Sequence, residues 1–334
     1  MEIQMRPVPQ PKEDEVLVKL EAVGVCGSDL HFFEHGRIGD CVVKYPFVLG
    51  HESAGKVVAV GEQVTDLKVG DRVALEPGKT CGKCEFCKTG RYNLCPDVEF
   101  FATPPYDGVL AEYTAHEAAL CFKLPENVDS ISGALIEPLA VGFHAVVNQA
   151  RAHVGQSAVV FGAGCIGLVT LLALKYVGIS QIFVVDILDN RLKKAKELGA
   201  AEVINARDTD TVQKLLELTE GKGCDLAFET AGTEITAGQA IKAVKKGAVV
   251  VLIGYSSSGE MTLPMGLALD KEITFKTNFR YRHIYPMAIE AVASGRIDVK
   301  KLVTDYYSLD KAQECFTDCI CNKSEIVKAV INID

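Results

Sequence analysis

The chain changes rhythm near residue 155. Beyond it, short β-branched runs at 157–161, 182–185, 226–228, 248–253 and 273–276 alternate with segments of helical period at 166–177, 191–198, 211–218 and 235–244. Gly178 and Gly199 stand where two of those helices should stop, because glycine takes the left-handed conformation that closes a helix. Strand and helix in alternation predict a parallel sheet covered on both faces. The first 130 residues read differently. Short β runs at 15–22, 55–60, 71–75 and 110–114 are separated by Gly- and Pro-containing turns, with little helical periodicity. That is the pattern of a β-rich module with long loops. After residue 278 come a helix at 285–293, a Ser294-Gly295 stop, a helix at 311–319 and a final strand at 326–331. The fold class predicted is α/β, a doubly wound parallel sheet joined to a β-rich domain. A length of 334 residues agrees with two domains.

Composition narrows the function classes. With 48% hydrophobic and 24% charged residues the chain is globular, neither disordered nor fibrous. Thirty-five Lys and Arg against 44 Asp and Glu leave a net charge of −9, and no basic run offsets it. Nucleic acid is therefore excluded as an expected partner. Mean hydropathy is +0.16, and residues 154–174 carry no charge, a length that can span a bilayer. Gly155, Gly162, Gly164 and Gly167 interrupt that stretch, which reads as strand, turn and helix and not as a membrane span. The segment Met1–Pro7 has no apolar signal region. A cytoplasmic protein without a membrane partner is expected.

The stretch from Val159 to Gly167 places Gly162-Ala163-Gly164-Cys165-Ile166-Gly167 directly after a strand and at the head of a helix. Such glycines permit a tight turn and close backbone approach to a pyrophosphate on the helix N-terminus. The next strand ends in Asp186, about where a ribose-binding acid belongs. An acid there repels a 2′-phosphate and favours NAD. Arg191 argues the other way or lines the adenine edge. A glycine turn needed for packing alone is the bland alternative. Gly162, Gly164, Ile166, Gly167, Asp186 and Arg191 are the cofactor-binding candidates.

Of the twelve cysteines, four fall at Cys81, Cys84, Cys87 and Cys95. Without a secretory signal, clustered thiols read as metal ligands before disulfides. Four thiolates at this spacing close a tetrahedral zinc site with no open position, a structural site; iron–sulfur ligation is the competing metal reading. Lys79, Lys83 and Lys88 partly offset its charge. Cys41, Cys121, Cys165, Cys224, Cys315, Cys319 and Cys321 are expected to be buried small hydrophobes. A second, dispersed set comprises Cys26, the His51-Glu52 pair and Glu137-Pro138. Each piece alone is commonplace. Three protein ligands plus an open position together describe a catalytic zinc.

Gly24-Val25-Cys26-Gly27-Ser28-Asp29, Gly50-His51-Glu52, Cys81 through Cys95, Glu137-Pro138-Leu139 and Gly162-Ala163-Gly164, in this order, resemble the zinc-dependent medium-chain dehydrogenases over nearly the whole chain. His35 to Gly39, Phe101 to Pro105, Ala134 to Pro138 and Phe279-Arg280-Tyr281 look most like the sorbitol (L-iditol), xylitol and related polyol dehydrogenases. The resemblance implies a GroES-like zinc catalytic domain over 1–135 and 280–334, a Rossmann NAD-binding domain over 136–279, and an active-site cleft between them. It implies catalytic zinc on Cys26, His51 and Glu52, with Glu137 on a zinc-linked water or on the metal. Ordinary alcohol dehydrogenases carry a cysteine at the position of Glu137. By the same resemblance, Arg280 and Tyr281 hydrogen-bond substrate hydroxyls while Phe32 and Phe101 line the pocket. Ile253, Gly254, Asn278, Phe279 and Arg280 flank the nicotinamide. Phe32 departs from the sorbitol enzymes, which have a tyrosine there, and relatives carry about one more strand before the segment matching 1–6.

The activity implied is oxidation of a secondary alcohol of a polyol to a ketose, with hydride transfer to NAD⁺. Zinc lowers the pKa of the alcohol, and the proton leaves through Ser28 and His31 or by the Glu137-held water. His31 as a structural histidine and Arg280 as a packing residue are the alternatives. L-Threonine, 2,3-butanediol and phosphorylated polyols are rival substrates, and a non-catalytic NAD-binding protein is the rival class. Two zinc ions per subunit, one catalytic and one structural, and a homo-oligomer (a tetramer, with a dimer next) complete the expectations.

Overall fold

The computed structural model describes residues 1–256 and 259–333. The chain divides into two compact units, Met1–Glu137 with Tyr285–Asp334, and Pro138–Ile284.

In the first unit seven strands form one sheet. Its order is Asp305–Ser308, Ala329–Asn332, Glu15–Gly24, Glu52–Val60, Arg72–Leu75 and Cys121–Lys123, with Tyr113–Glu117 also paired to Glu15–Gly24. Strand Glu15–Gly24 is the spine, because its alternate side chains fill the core. Val16, Val18, Leu20 and Val23 pack there with Leu75, Phe316 and Ile331. Strand register gathers the functional residues. Gly24 pairs with Glu52 on one side and Val330 on the other, so the ends of three strands meet where the chain continues into Cys26. A loss of periodicity in the sequence hides the helix Gly27–His35, which begins directly after Cys26 and ends on Gly36 at φ +68°. That helix was not expected. Strand Tyr113–Glu117 falls three residues beyond the expected run at 110–114, and the last strand is Ala329–Asn332 in place of 326–331.

The second unit is a six-stranded parallel sheet in the order Glu202–Asn205, Gln181–Asp186, Ser157–Phe161, Cys224–Glu229, Val244–Leu252 and Thr274–Thr277. Strand order reverses between Ser157–Phe161 and Cys224–Glu229, the switch point at which doubly wound sheets bind dinucleotides. Every residue of Ser157–Phe161 is buried, as a strand covered on both faces requires. Strand Glu202–Asn205 was not legible, since Val203 and Ile204 are its only apolar residues. The charge-free stretch resolves into strand Ser157–Phe161 and helix Cys165–Tyr176. No helix among the described residues is long and apolar enough to cross a membrane.

The chain from Ile136 onward is helical through Phe143 and continues as a π-helical turn over His144–Gln149. Of the seven scattered cysteines, Cys121, Cys224, Cys315 and Cys319 are buried. Cys41 and Cys165 are only half-buried and Cys321 is exposed, because Cys321 ends its helix on the solvent side.

Candidate active site

Three strand ends and one helix start assemble the first cluster. Cys26 precedes helix Gly27–His35, and Glu52 opens its strand opposite Gly24. The ligand atoms of Cys26, His51 and Glu52 all lie within 4.8 Å of one another. His51 and Glu52 are 6% and 1% exposed. A side chain at Gly24 would collide with Glu52, its Cβ falling 2.1 Å from Oε2, so glycine at 24 is what lets the carboxylate lie there.

Asp29, one turn into the helix, organises the cluster. Its carboxylate accepts from Gly50 N at 3.0 Å and Cys26 N at 3.2 Å, and Oδ1 lies 3.4 Å from His51 Nδ1. Burial works against a charged His51, but the Asp29 carboxylate and the Cys26 sulfur outweigh it and push the imidazole pKa well above its ordinary value. The same negative groups favour a divalent cation. With Nδ1 held by Asp29, Nε2 is the nitrogen available to a metal, the usual carboxylate–histidine arrangement. A thiolate, an imidazole and a carboxylate form a zinc donor set that leaves a fourth position open. The residues present fit the ion.

Lys328 was missed from the sequence. Its Nζ donates to Glu52 Oε1 at 2.6 Å and to Val25 O at 2.9 Å, and the residue is 3% exposed. The available signal was a lone lysine inside the apolar run 326–331. Asp29 was quoted within its motif without a role. Glu137 is buried at the start of its helix and is not one of the three mutually close ligands. Ser28 and His31 share one face of their helix, three residues apart, and the His31 ring stands 4.6 Å from His35. Phe32 is buried in the core, edge-on to Phe47 at 6.4 Å. Phe101, half-buried, lies tilted against His116, the ring centroids 4.6 Å apart.

The second cluster is the lobe of Cys81, Cys84, Cys87 and Cys95, whose sulfurs also lie within 4.8 Å of one another. Main-chain N–H groups point at the sulfurs: Cys84 N reaches Cys81 Sγ, Cys87 N reaches Cys84 Sγ and Cys81 N reaches Cys95 Sγ, each at 3.4 Å. Donors from Lys83 and Cys84 lower the Cys81 pKa to about 7, which favours the thiolate a metal requires. Lys79 contributes its charge elsewhere, 2.8 Å from Glu117.

The lobe is tied to the sheet by Tyr92, which donates to Glu76 Oε1 at 2.8 Å. Burial raises Glu76 from its ordinary 4.5 to about 7, partly opposed by that hydrogen bond. For an acid with a raised folded pKa, the protonated form is the one folding favours. Its contribution is complete below pH 4.5 and is lost as pH climbs through 7. Glu76→Gln, neutral at every pH, is expected to be more stable than the parent at pH 8 by up to about 3 kcal/mol. At pH 4 the two should be alike. Thermal unfolding from pH 4 to 8 measures this, and equal slopes in both proteins would refute it.

In the second unit each fingerprint glycine has its own task. Gly162 holds φ +98°. A Cβ on Gly167 would stand 1.9 Å from Gly162 O, so helix and turn pack only without one. A Cβ on Gly164 would meet only Arg191 Nη1, at 3.8 Å, leaving that face open to a ligand. Ile166 lies in the first turn of the following helix. Asp186 ends its strand, and Oδ2 accepts from Ala163 N at 2.6 Å while Oδ1 accepts from Ile187 N at 2.7 Å. The carboxylate is thereby fixed against the glycine turn. Ile253 N and Gly254 N donate to Glu229 O at 2.8 and 3.0 Å. Asn278 Oδ1 has no hydrogen-bond partner among the described residues, which suits an amide N–H from a ligand. Phe279 is 53% exposed under the Arg280 guanidinium, 4.8 Å from its ring, whereas Tyr281 is 3% exposed. An open glycine turn beside a fixed acid, with an orphan amide oxygen further along, fits a dinucleotide.

Comparison with known proteins agrees. Residues 12–126 match the alcohol dehydrogenase GroES-like domain and residues 165–294 the zinc-binding dehydrogenase family. The chain is 43% identical to sorbitol dehydrogenase of Bacillus subtilis (strain 168), over 99% of this chain and 94% of that protein. It is 47% identical to sorbitol dehydrogenase of Bos taurus, over 93% and 87%. A crystal structure of an Escherichia coli oxidoreductase/dehydrogenase of unknown specificity superposes with a TM-score of 0.94 at 45% identity, covering 98% and 94%. The chain belongs to the zinc-dependent medium-chain alcohol dehydrogenases, enzymes that pair a GroES-like domain with a Rossmann domain and work with zinc and NAD.

Proposed function

We propose that this enzyme oxidises a secondary hydroxyl of a polyol of the sorbitol, xylitol or L-iditol type to a ketose, with NAD⁺ as hydride acceptor. The observation that carries the reading is the meeting of half-buried Cys26 with buried His51 and Glu52. Among the described residues their donor set supplies three ligands and no fourth. When bound there, zinc is a Lewis acid that makes a secondary hydroxyl acidic near neutral pH. Asp29 fixes His51, and Lys328 fixes Glu52. Ser28 and His31, on one helix face, take the proton outward, with Glu137 as the alternative exit. Arg280 and Tyr281 supply hydroxyl contacts, Phe101 a wall. Cys81, Cys84, Cys87 and Cys95 hold the second, structural zinc. Gly162, Gly164, Ile166, Gly167 and Asp186 seat the pyrophosphate and ribose of NAD, with Arg191 beside them, and Ile253, Gly254, Asn278 and Phe279 border the nicotinamide. The sorbitol dehydrogenases above support the substrate class. A cytoplasmic homo-oligomer, tetramer before dimer, goes with this reading.

Initial rates of NAD⁺ reduction on sorbitol, xylitol, L-iditol, galactitol, L-threonine and 2,3-butanediol, with and without a zinc chelator, test it. Chelator-sensitive turnover confined to the polyols is expected; turnover only on threonine or butanediol overturns the substrate assignment. Cofactor choice has its own test. Asp186→Ala should weaken NADH binding roughly tenfold, the value of one or two lost charge-assisted ribose contacts, and leave NADPH binding no weaker. Fluorescence titration of both nucleotides reads this, and unchanged NADH affinity removes Asp186 from the site.

A further inference from the structure

The π-helical turn His144–Gln149 belongs to no part of the site described above. Turns of this kind are rare and cluster at functional sites because the extra residue redirects side chains. Here the widened turn is closed by Ala150 N on Ala145 O at 2.9 Å, and it delivers Asn148 to the segment 280–283. One N–H of the Asn148 amide reaches His144 Nδ1 at 2.8 Å and the other reaches Arg282 O at 3.2 Å. His144 is fully buried. Burial, with the Arg282 charge nearby, lowers its pKa to about 4, so the ring is neutral and Nδ1 keeps the lone pair that Asn148 needs. The Gln149 amide is 3.2 Å from Nε2; turned to present its oxygen, it accepts the Nε2 proton.

What Asn148 holds is itself strained. Arg280 and His283 both have φ +53°, a left-handed conformation that costs a non-glycine residue free energy and persists only where its surroundings impose it. Two such residues within four positions need anchors on either side. Asn278 Nδ2 donates to Arg280 O at 3.4 Å on one side, and Asn148 donates to Arg282 O on the other. Tyr281 lies between them, buried.

We propose that the π-helical turn is a positioning element for the substrate-binding segment. Asn148, braced by His144, pins the Arg282 carbonyl and so sets where Arg280 and Tyr281 present themselves to the polyol. This rests on the reading of Arg280 and Tyr281 as substrate contacts. Asn148 is a positioning residue, acting through the Arg282 carbonyl.

The test uses the zinc-loaded full chain and two variants. Asn148→Ala removes both donors; Asn148→Gln keeps an amide and is expected to recover part of the loss. For Asn148→Ala the polyol KM should rise about tenfold with kcat within threefold of the parent, and NADH Kd should rise by less, about threefold at most, since Phe279 and Arg280 border only the nicotinamide end of the cofactor while the pyrophosphate and ribose contacts lie elsewhere. Independently of any substrate, amide hydrogen exchange over 279–284 should quicken about tenfold, since local opening is what the anchor opposes. A lower Tm with unchanged polyol KM and unchanged exchange makes Asn148 merely structural and overturns the proposal. An equal rise in NADH Kd also overturns it. If the parent oxidises no polyol, the proposed function fails, while the exchange measurement still decides the role of Asn148.

Discussion

Replacing Cys26 with serine is expected to lower kcat/KM at least about a thousandfold, on the order of 4 kcal/mol of transition-state stabilisation. The substitution is nearly isosteric, so the strand ends that meet at Gly24, Glu52 and Val330 should keep their register. What changes is the donor. A serine hydroxyl is a hard, weak donor, whereas a cysteine sulfur is a soft one that zinc binds well. Metal analysis should find one zinc fewer per chain, the lobe of Cys81, Cys84, Cys87 and Cys95 keeping its own. NADH affinity should be unchanged, because the glycine turn and Asp186 belong to the other unit. Full turnover with undiminished zinc would remove Cys26 from the mechanism and with it the reading of this cluster as catalytic.

Lys328→Met is the second large effect, and it is read on stability. Lys328 and Glu52 form a pair in which both side chains are almost wholly enclosed, 2% and 1% exposed. Removing the cation from a buried pair leaves the anion desolvated and alone, which typically costs about 3–5 kcal/mol. In the zinc-free protein the unfolding midpoint should drop on the order of 10 °C. Adding Glu52→Gln to the variant removes the orphan charge and should restore most of the loss, since the penalty belongs to the lone carboxylate and not to the missing contact. Zinc should narrow the gap for Lys328→Met alone, a divalent cation being able to compensate Glu52 in place of the ammonium. A midpoint within about 2 degrees of the parent (roughly under 1 kcal/mol) would show that water reaches Glu52 and that the pair is not enclosed.

Much of the architecture was legible in the sequence. The alternation after residue 155, the glycines at 178 and 199 and the motif from Gly162 to Gly167 are local signals. Each states a backbone need, a parallel strand, a helix stop or a tight turn, that no distant residue has to complete. The four clustered cysteines are local in the same sense, because ligands a few residues apart can close on one ion whatever the rest of the chain does. Strand Glu202–Asn205 and helix Gly27–His35 escaped because their own residues argue weakly for them; a parallel neighbour supports the first, and the second is held by core burial of Asp29 and Phe32. Phe32 illustrates the limit from the other side. Resemblance makes it a pocket residue, and only the structure shows that its ring is buried edge-on to Phe47.

The dispersed cluster needed the tertiary structure. Cys26, His51 and Glu52 could be named as zinc ligands by family resemblance, but only the pairing of Gly24 with both Glu52 and Val330 shows why they converge. The same pairing brings in Lys328 from 276 residues further along the chain than Glu52. Its ammonium, and the carboxylate of Asp29 inside a helix the sequence did not announce, are selected by burial: a charge taken out of water must find a partner, and the partner is whatever the fold places beside it. By itself the sequence determined the elements, the cofactor turn and the donor types, since these depend on neighbours within a few residues. Which charges stand behind the metal ligands, and which amide steadies a strained segment near residue 282, were decided by the register of strands and the widening of one helical turn.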